Sequence, residues 1–276
     1  MKLIDGKSLA AELRGRLKEK IAASEKKPGL AVVIVGNDPA SSIYVRNKVK
    51  ACEEVGIHSF VYALEETVSQ TELENLLTSL AVREDVDGIL LQLPLPKGFD
   101  AESAMSKIPA SKDVDGFSEE NLGKLVLNQA KFAACTPSGI MKMLEHEGIE
   151  LKGKHAVVLG RSDTVGKPMA LLLLNADATV TVCHSKTKNL LEICKTADIL
   201  VSAIGKAKFV TAEMVKDGAV VIDVGMNRDE NGKLCGDVDF EQVKNKASYI
   251  TPVPGGVGPM TIATLLHNTC LAAWKE

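Results

Sequence analysis

No two cysteines in this chain stand at metal-ligating spacing. The six, Cys52, Cys135, Cys183, Cys194, Cys235 and Cys270, include no C-x-x-C pair, so neither a zinc site nor a dense disulfide framework is indicated. Buried free thiols are expected, and no metal. Basic runs are also absent. No lysine or arginine run exceeds a pair and the formal net charge is −3, so the electrostatic footprint of a nucleic-acid binder is missing. Apolar runs such as "MALLLL" are far too short to span a bilayer, and "MKLIDGKSLA" lacks the apolar centre of a signal peptide. The expectation is a cytoplasmic protein without membrane or nucleic-acid partners, acting on a small molecule. With 45% hydrophobic and 25% charged residues over 276 positions, the chain is an ordinary globular one, long enough for two modest domains.

The apolar pattern alternates between helix and strand. Leu9, Leu13, Leu17 and Ile21 recur at helical spacing, and "GLAVVIVG" (29–36) follows as a continuous apolar run. Asp38 and Pro39 mark a helix start and Gly56 its stop. "IHSFVYAL" reads as strand, "SQTELENLLTSLAVRE" as helix and "VDGILLQLPLP" as strand. Continuous apolar strands between helices imply a parallel sheet covered on both faces. Residues 100–150 are less regular and contain the expected domain crossing. From 155 the alternation restarts with "HAVVLG", "GKPMALLLLNA", "TVTVC", "TKNLLEICKTA", "DILVSAIG", "TAEMVKDG" and "AVVIDVG". After the Pro/Gly segment "TPVPGGVGPMT", an apolar helix to Trp274 is expected to return to the first domain. The fold class is therefore α/β, divided as 1–137 plus 257–276 and 138–256.

In "VVLGRSDTVGKPMA", Gly160 directly follows a strand and Gly166 opens a helix, the arrangement that points backbone N–H groups at a dinucleotide pyrophosphate. The spacing is G-x5-G rather than G-x-G-x-x-G, and strand–Gly–helix turns also occur without a ligand. The next strand, "TVTVC", runs into His184, Ser185, Lys186 and Thr187, where a ribose-binding carboxylate would otherwise stand. With no carboxylate to repel it, a 2′-phosphate would meet Ser185, Lys186 and Arg161, which favours NADP over NAD.

In "ASSIYVRNKVKACEEVG", Tyr44 and Lys48 lie one helical turn apart and face the same way. Such pairs are commonly a boundary aromatic beside a solvated amine. Here the helix follows one strand end at Gly36, and "GILLQLPLP" sets Gln92 at another, where open parallel sheets bind ligands. "KDVDGF" adds Asp113 and Asp115, which serve either as turn caps or as ligands. In "TPVPGGVGP", Gly255 and Gly256 permit close approach of the backbone.

Taken together and in this order, "YVRNK", "GILLQLPLP", "KDVDGF", "CTPSG", "GRSDTVGKP" and "YITPVPGGVGPMT" resemble the bifunctional methylenetetrahydrofolate dehydrogenase/methenyltetrahydrofolate cyclohydrolase family over nearly the whole chain. The resemblance implies oxidation of 5,10-methylenetetrahydrofolate by NADP, then hydrolysis of the methenyl product to 10-formyltetrahydrofolate, in one-carbon metabolism and purine biosynthesis. It further implies an N-terminal catalytic domain, a Rossmann-like doubly wound cofactor domain and a homodimer through the latter. The catalytic set it implies is Lys48 with Gln92, Tyr44 and Asp115. Tyr44, Gln92, Asp115, Pro254 and Gly255 would contact folate, and Gly160, Arg161, Ser162, Gly166, Ser185, Thr136 and Pro137 would contact the cofactor. An amine serving as a base near neutral pH needs the desolvation or the cationic neighbour that such a site offers. Because nicotinamide must reach the folate methylene carbon, hydride transfer is expected in the crevice between the two sheets. Met226 stands where isoleucine is more usual and carries no functional meaning. Two other readings compete: an NADP-dependent dehydrogenase of a different small substrate, disfavoured by the first-domain motifs, and a non-catalytic NADP sensor, disfavoured by the presence of Lys48.

Overall fold

The computed structural model describes residues 1–274, Ala40 by its backbone alone. Its strands in chain order are β1 (Lys2–Leu3), β2 (Gly29–Val35), β3 (His58–Leu64), β4 (Gly88–Leu91), β5 (His155–Leu159), β6 (Thr179–Cys183), β7 (Ile199–Ser202), β8 (Val220–Asp223), β9 (Asn227–Arg228), β10 (Leu234–Cys235) and β11 (Tyr249–Ile250). The fold is α/β, in two compact units. One comprises residues 11–135 with those from 262 onward, the other residues 1–10 with 136–261.

The first unit is built on a parallel sheet of order β3-β2-β4. Its central strand β2 is buried along its whole length because both faces are covered. Strand geometry sends alternate side chains to opposite faces. Leu30, Val32 and Ile34 pack with Leu17 and Ile21 of helix Gly6–Ala23, with Cys52 and Val55 of helix Pro39–Val55, and with Leu265, Leu266 and Cys270 of helix Val257–Trp274. Ala31, Val33 and Val35 pack instead with Leu73, Leu77 and Leu80 of helix Gln70–Val82.

The second unit carries a six-stranded sheet of order β1-β11-β8-β7-β5-β6, every pairing parallel. From β5 the chain moves to β6 on one side, then crosses to β7 on the other. The topological switch point therefore lies between β5 and β7, and ligands of such sheets bind outside the carboxyl ends of these strands. A short antiparallel pair, β9 and β10, stands apart from the sheet.

These units divide the chain differently from the sequence reading at both ends. Lys2 and Leu3 pair with Tyr249 and Ile250, so the N-terminus joins the second sheet, and the C-terminal helix changes unit after Thr261. The last two residues assigned to the first domain lie outside the described residues. That helix also starts earlier than expected, at Val257, because Pro259 falls in its first turn, where the missing N–H would have no partner anyway. "TKNLLEICKTA" is helical only over Leu190–Cys194, and "TAEMVKDG" forms a single 3-10 turn, Ala212–Met214.

Candidate active site

Helix Pro39–Val55 is fixed by its ends. The Asp38 carboxylate accepts from the Ser41 N–H at 2.8 Å, Pro39 opens the first turn, and Gly56 closes the helix at φ 90°. Fixing the ends fixes the inward face. Lys48 on that face is buried, with 8% of its surface exposed, and Tyr44 one turn earlier is half-buried. Burial raises the Tyr44 phenol above its ordinary pKa, so the ring offers a neutral hydroxyl and an apolar face at neutral pH.

Strand β4 stops at Leu91, and Gln92 follows at its carboxyl end. The Lys48 Nζ donates to Gln92 Oε1 at 3.1 Å. The Gln92 Nε2 donates to the Leu93 carbonyl at 2.6 Å, which commits the amide: its oxygen faces the amine.

Asp113 and Asp115 have different roles. Buried Asp113 accepts from the backbone N–H groups of Gly116, Phe117 and Ser118 and from Asn121 Nδ2, so it caps its own loop. Asp115 has no part in that capping. Burial pushes its carboxyl above the ordinary carboxylate range, while the Lys48 charge and the nearby Cys135 thiol, which donates to the Val114 carbonyl at 3.3 Å, oppose the rise. The same burial, with Asp115 beside it, holds the Cys135 thiol well above its usual value and leaves it unreactive. Gly116, at φ 77°, lets the loop turn against the backbone at Ala133 and Ala134. Lys48 thus meets both Gln92 and Asp115 in the first unit, with Tyr44 one helical turn away.

The second unit holds the other expected residues. Gly160 follows β5 at φ 115°, and a Cβ there would overlap the Ala203 carbonyl oxygen. A Cβ on Gly166 would overlap the Gly160 carbonyl in turn. The turn is thus open only to glycine at both positions, leaving backbone room at the start of helix Gly166–Asn175. Ser162 Oγ accepts from the Val165 and Gly166 N–H groups at 3.2 and 3.3 Å, so it fixes the turn that enters this helix. Arg161 and Ser185 are exposed, as is Lys186, at the ends of β5 and β6. Thr136 shares a 2.9 Å hydroxyl contact with Thr261 beside buried Pro137. Exposed Pro254 and neighbouring Gly255 lie in this second unit, where the Gly255 carbonyl accepts from Lys7 N–H at 2.8 Å. Among the described residues, no group of three or more His, Cys, Asp or Glu could hold a metal ion.

Comparison with known proteins decides the family. The model for the catalytic domain of tetrahydrofolate dehydrogenase/cyclohydrolase matches residues 4–115, and that for its NAD(P)-binding domain matches 134–276. The chain belongs to the tetrahydrofolate dehydrogenase/cyclohydrolase family. It is 56% identical over 276 residues to the bifunctional protein FolD of Lachnoclostridium phytofermentans, covering 99% of this chain and 98% of that one. It is similar to the crystal structure of the bifunctional FolD dehydrogenase/cyclohydrolase of Campylobacter jejuni, with TM-score 0.98, 50% identity and 100% and 99% of the two chains covered. The Trypanosoma brucei enzyme, solved with NADP and an inhibitor, matches with TM-score 0.94 and 40% identity over 99% of this chain and 97% of that one.

Sequence reasoning did not single out Cys135 beyond a buried thiol, because its meeting with Asp115 depends on the chain returning at that point, where the Cys135 N–H donates to the Asp115 carbonyl at 3.2 Å. It also passed over Asp223 and Asp237, whose surroundings come from four separate segments.

Proposed function

We propose that this protein oxidises 5,10-methylenetetrahydrofolate to 5,10-methenyltetrahydrofolate with NADP and hydrolyses the product to 10-formyltetrahydrofolate. The observation that carries the reading is the buried Lys48 amine, held by Gln92 Oε1 and facing the charge of Asp115.

The second unit fits NADP in its donor chemistry. The glycines at 160 and 166 leave a cradle that a Cβ would fill, and β6 is followed by His184, Ser185 and Lys186 with no carboxylate. NADP, when bound, supplies the hydride acceptor. Gly160, Ser162 and Gly166 would hold its pyrophosphate, Arg161 and Ser185 its 2′-phosphate, and Thr136 and Pro137 would also contact it.

Asp115, ionised, accepts a pair of N–H bonds from the pterin edge, a charge-assisted contact. Tyr44 stacks beside the folate. In the hydrolysis, water adds to the methenyl carbon as its proton passes to Lys48 Nζ. The bond from that carbon to N5 then breaks as Lys48 returns the proton to N5 and the carbinol hydroxyl gives up its own proton to solvent, leaving the formyl group on N10. Gln92 orients the amine through an acceptor that carries no charge, so the amine is free to take and give the proton. We further read the protein as a cytoplasmic homodimer that pairs through the cofactor unit, which sedimentation of the purified protein checks.

The test follows nicotinamide and methenyl absorbance with 5,10-methylenetetrahydrofolate, in NADP and in NAD. NADPH formation followed by clearance of the methenyl signal is the expected result. Reduction of neither cofactor would return the chain to a dehydrogenase of another substrate.

A further inference from the structure

In the second unit, two buried carboxylates sit back to back: Asp223, closing β8, and Asp237, just past β10. Asp237 has no exposed surface, and its oxygens take only donors. Oδ2 accepts from the backbone N–H groups of Ile204 and Gly205 at 2.8 and 3.3 Å and from Ser202 Oγ at 3.2 Å. Oδ1 accepts from the Lys206 N–H and from Asn227 Nδ2, both at 2.9 Å. Asp223 secures Asp237 in turn, accepting from the N–H groups of Asp237 and Val238 at 2.9 Å.

Three successive backbone amides are thereby turned inward onto one carboxylate. They belong to the segment that leaves the carboxyl end of β7, one side of the switch point. Ala203, at the root of that segment, donates to the Leu159 carbonyl at 2.8 Å and has its own carbonyl where a Cβ on Gly160 would lie. The 204–206 segment and the glycine turn after β5 are therefore neighbours across the crevice. Residues 205–209 are exposed, and the segment is held by the inward amides of 204–206 together with Ile204 packed on the core and the Lys208 N–H donated to the Gly236 carbonyl at 3.1 Å.

We propose that Asp237 is a positioning residue for the dinucleotide, holding Ile204, Gly205 and Lys206 as the wall of the cofactor crevice opposite Gly160. The proposal rests on the NADP reading above. A carboxylate is required because donors surround both oxygens. An isosteric amide would turn an NH2 group on at least two of them and release the segment.

The test is Asp237→Asn, with NADP affinity, dehydrogenase kinetics and cyclohydrolase rate measured on the same preparation. Loss of charge-assisted hydrogen bonds predicts a rise of about tenfold or more in Kd and KM for NADP. The kcat at saturating NADP stays near wild type, and hydrolysis of added methenyltetrahydrofolate is unchanged. A merely structural carboxylate would lower Tm and leave the NADP Kd of the folded protein alone, and that result overturns the proposal. Should Asp237→Asn fail to fold, Gly205→Ala decides. Gly205 is at φ 64° with open space around it, so the change strains only this segment. Weaker NADP binding supports the proposal and wild-type binding overturns it. If the wild-type protein binds no NADP, the cofactor reading itself fails, and the control shows which of the two was wrong.

Discussion

Replacing Lys48 by methionine or by arginine separates two jobs that one amine performs. Methionine keeps the length and apolar stem of lysine, so helix Pro39–Val55 stays packed, but it removes both the base and the charge facing Asp115. Loss of a positioned base costs about 10²–10⁴ in rate, which at 1.36 kcal/mol per tenfold is about 2.7–5.4 kcal/mol. The second effect concerns Asp115. Its carboxyl is already raised by burial, and Lys48 is the largest influence holding it down. Without that charge it retains its proton to higher pH, and a protonated carboxyl no longer accepts two N–H bonds from the pterin. The KM for folate is therefore expected to rise in Lys48→Met and to fall again as pH is raised. Arginine restores the charge but cannot give up its proton near neutrality. Lys48→Arg therefore regains much of the folate affinity and none of the hydrolysis. Methenyl absorbance decay at several folate concentrations, across the pH range over which the variant stays folded, reads both effects. Hydrolysis by Lys48→Arg at the wild-type rate, or a folate KM in Lys48→Met that ignores pH, would refute the reasoning.

Three other outcomes follow from the second unit. Gly160→Ala meets an unfavourable φ and the Ala203 carbonyl together, a cost of about 2–6 kcal/mol; NADP titration is expected to show lost affinity while added methenyltetrahydrofolate is still cleared. Ser185→Asp puts a carboxylate at the end of β6; at about 1 kcal/mol per charge pair at 4 Å in water, a dianionic phosphate is disfavoured by about 2 kcal/mol, roughly thirtyfold in NADP over NAD preference, read as the ratio of kcat/KM values. Asp223, desolvated by burial, has its carboxyl pushed up from 3.8 to about 6. A raised acid binds its proton more tightly folded than unfolded, so its contribution falls as pH climbs from about 4 to 6, by about 3 kcal/mol in all. Urea unfolding between pH 4 and 7 should show this falling component in the wild type and its absence in Asp223→Asn; identical slopes would remove Asp223 as the cause.

The parts of the fold that could be read from sequence are those fixed by near neighbours. Asp38, Pro39 and Gly56 bound a helix through contacts spanning three or four residues, and the structure has that helix at Pro39–Val55. The uninterrupted apolar run of β2 announces burial on two faces because every side chain along it is hydrophobic. Gln92 was found because a strand that ends in prolines can end in few ways. What stayed hidden depends on distant segments. Lys2 and Leu3 are too few to show a period, and their partners lie near residue 250. The helices expected at "TKNLLEICKTA" and "TAEMVKDG" shrink because Asn189 takes a left-handed conformation in one and Val215 turns extended after Met214 in the other, interrupting runs whose composition alone favours helix. Nothing near Asp237 in sequence reveals that Ile204, Gly205 and Lys206 donate to it.

Because the C-terminal helix supplies Leu265, Leu266 and Cys270 to the core of a unit whose other members begin at Leu17, that unit is not a continuous stretch of chain. A nascent chain on the ribosome can therefore close the cofactor half first, once residue 261 has emerged, while the folate half waits with one face of β2 only partly covered. Chaperone demand should be concentrated in that interval. A gene cut at 135/136 would yield two fragments, neither holding a whole unit, that must find each other to fold.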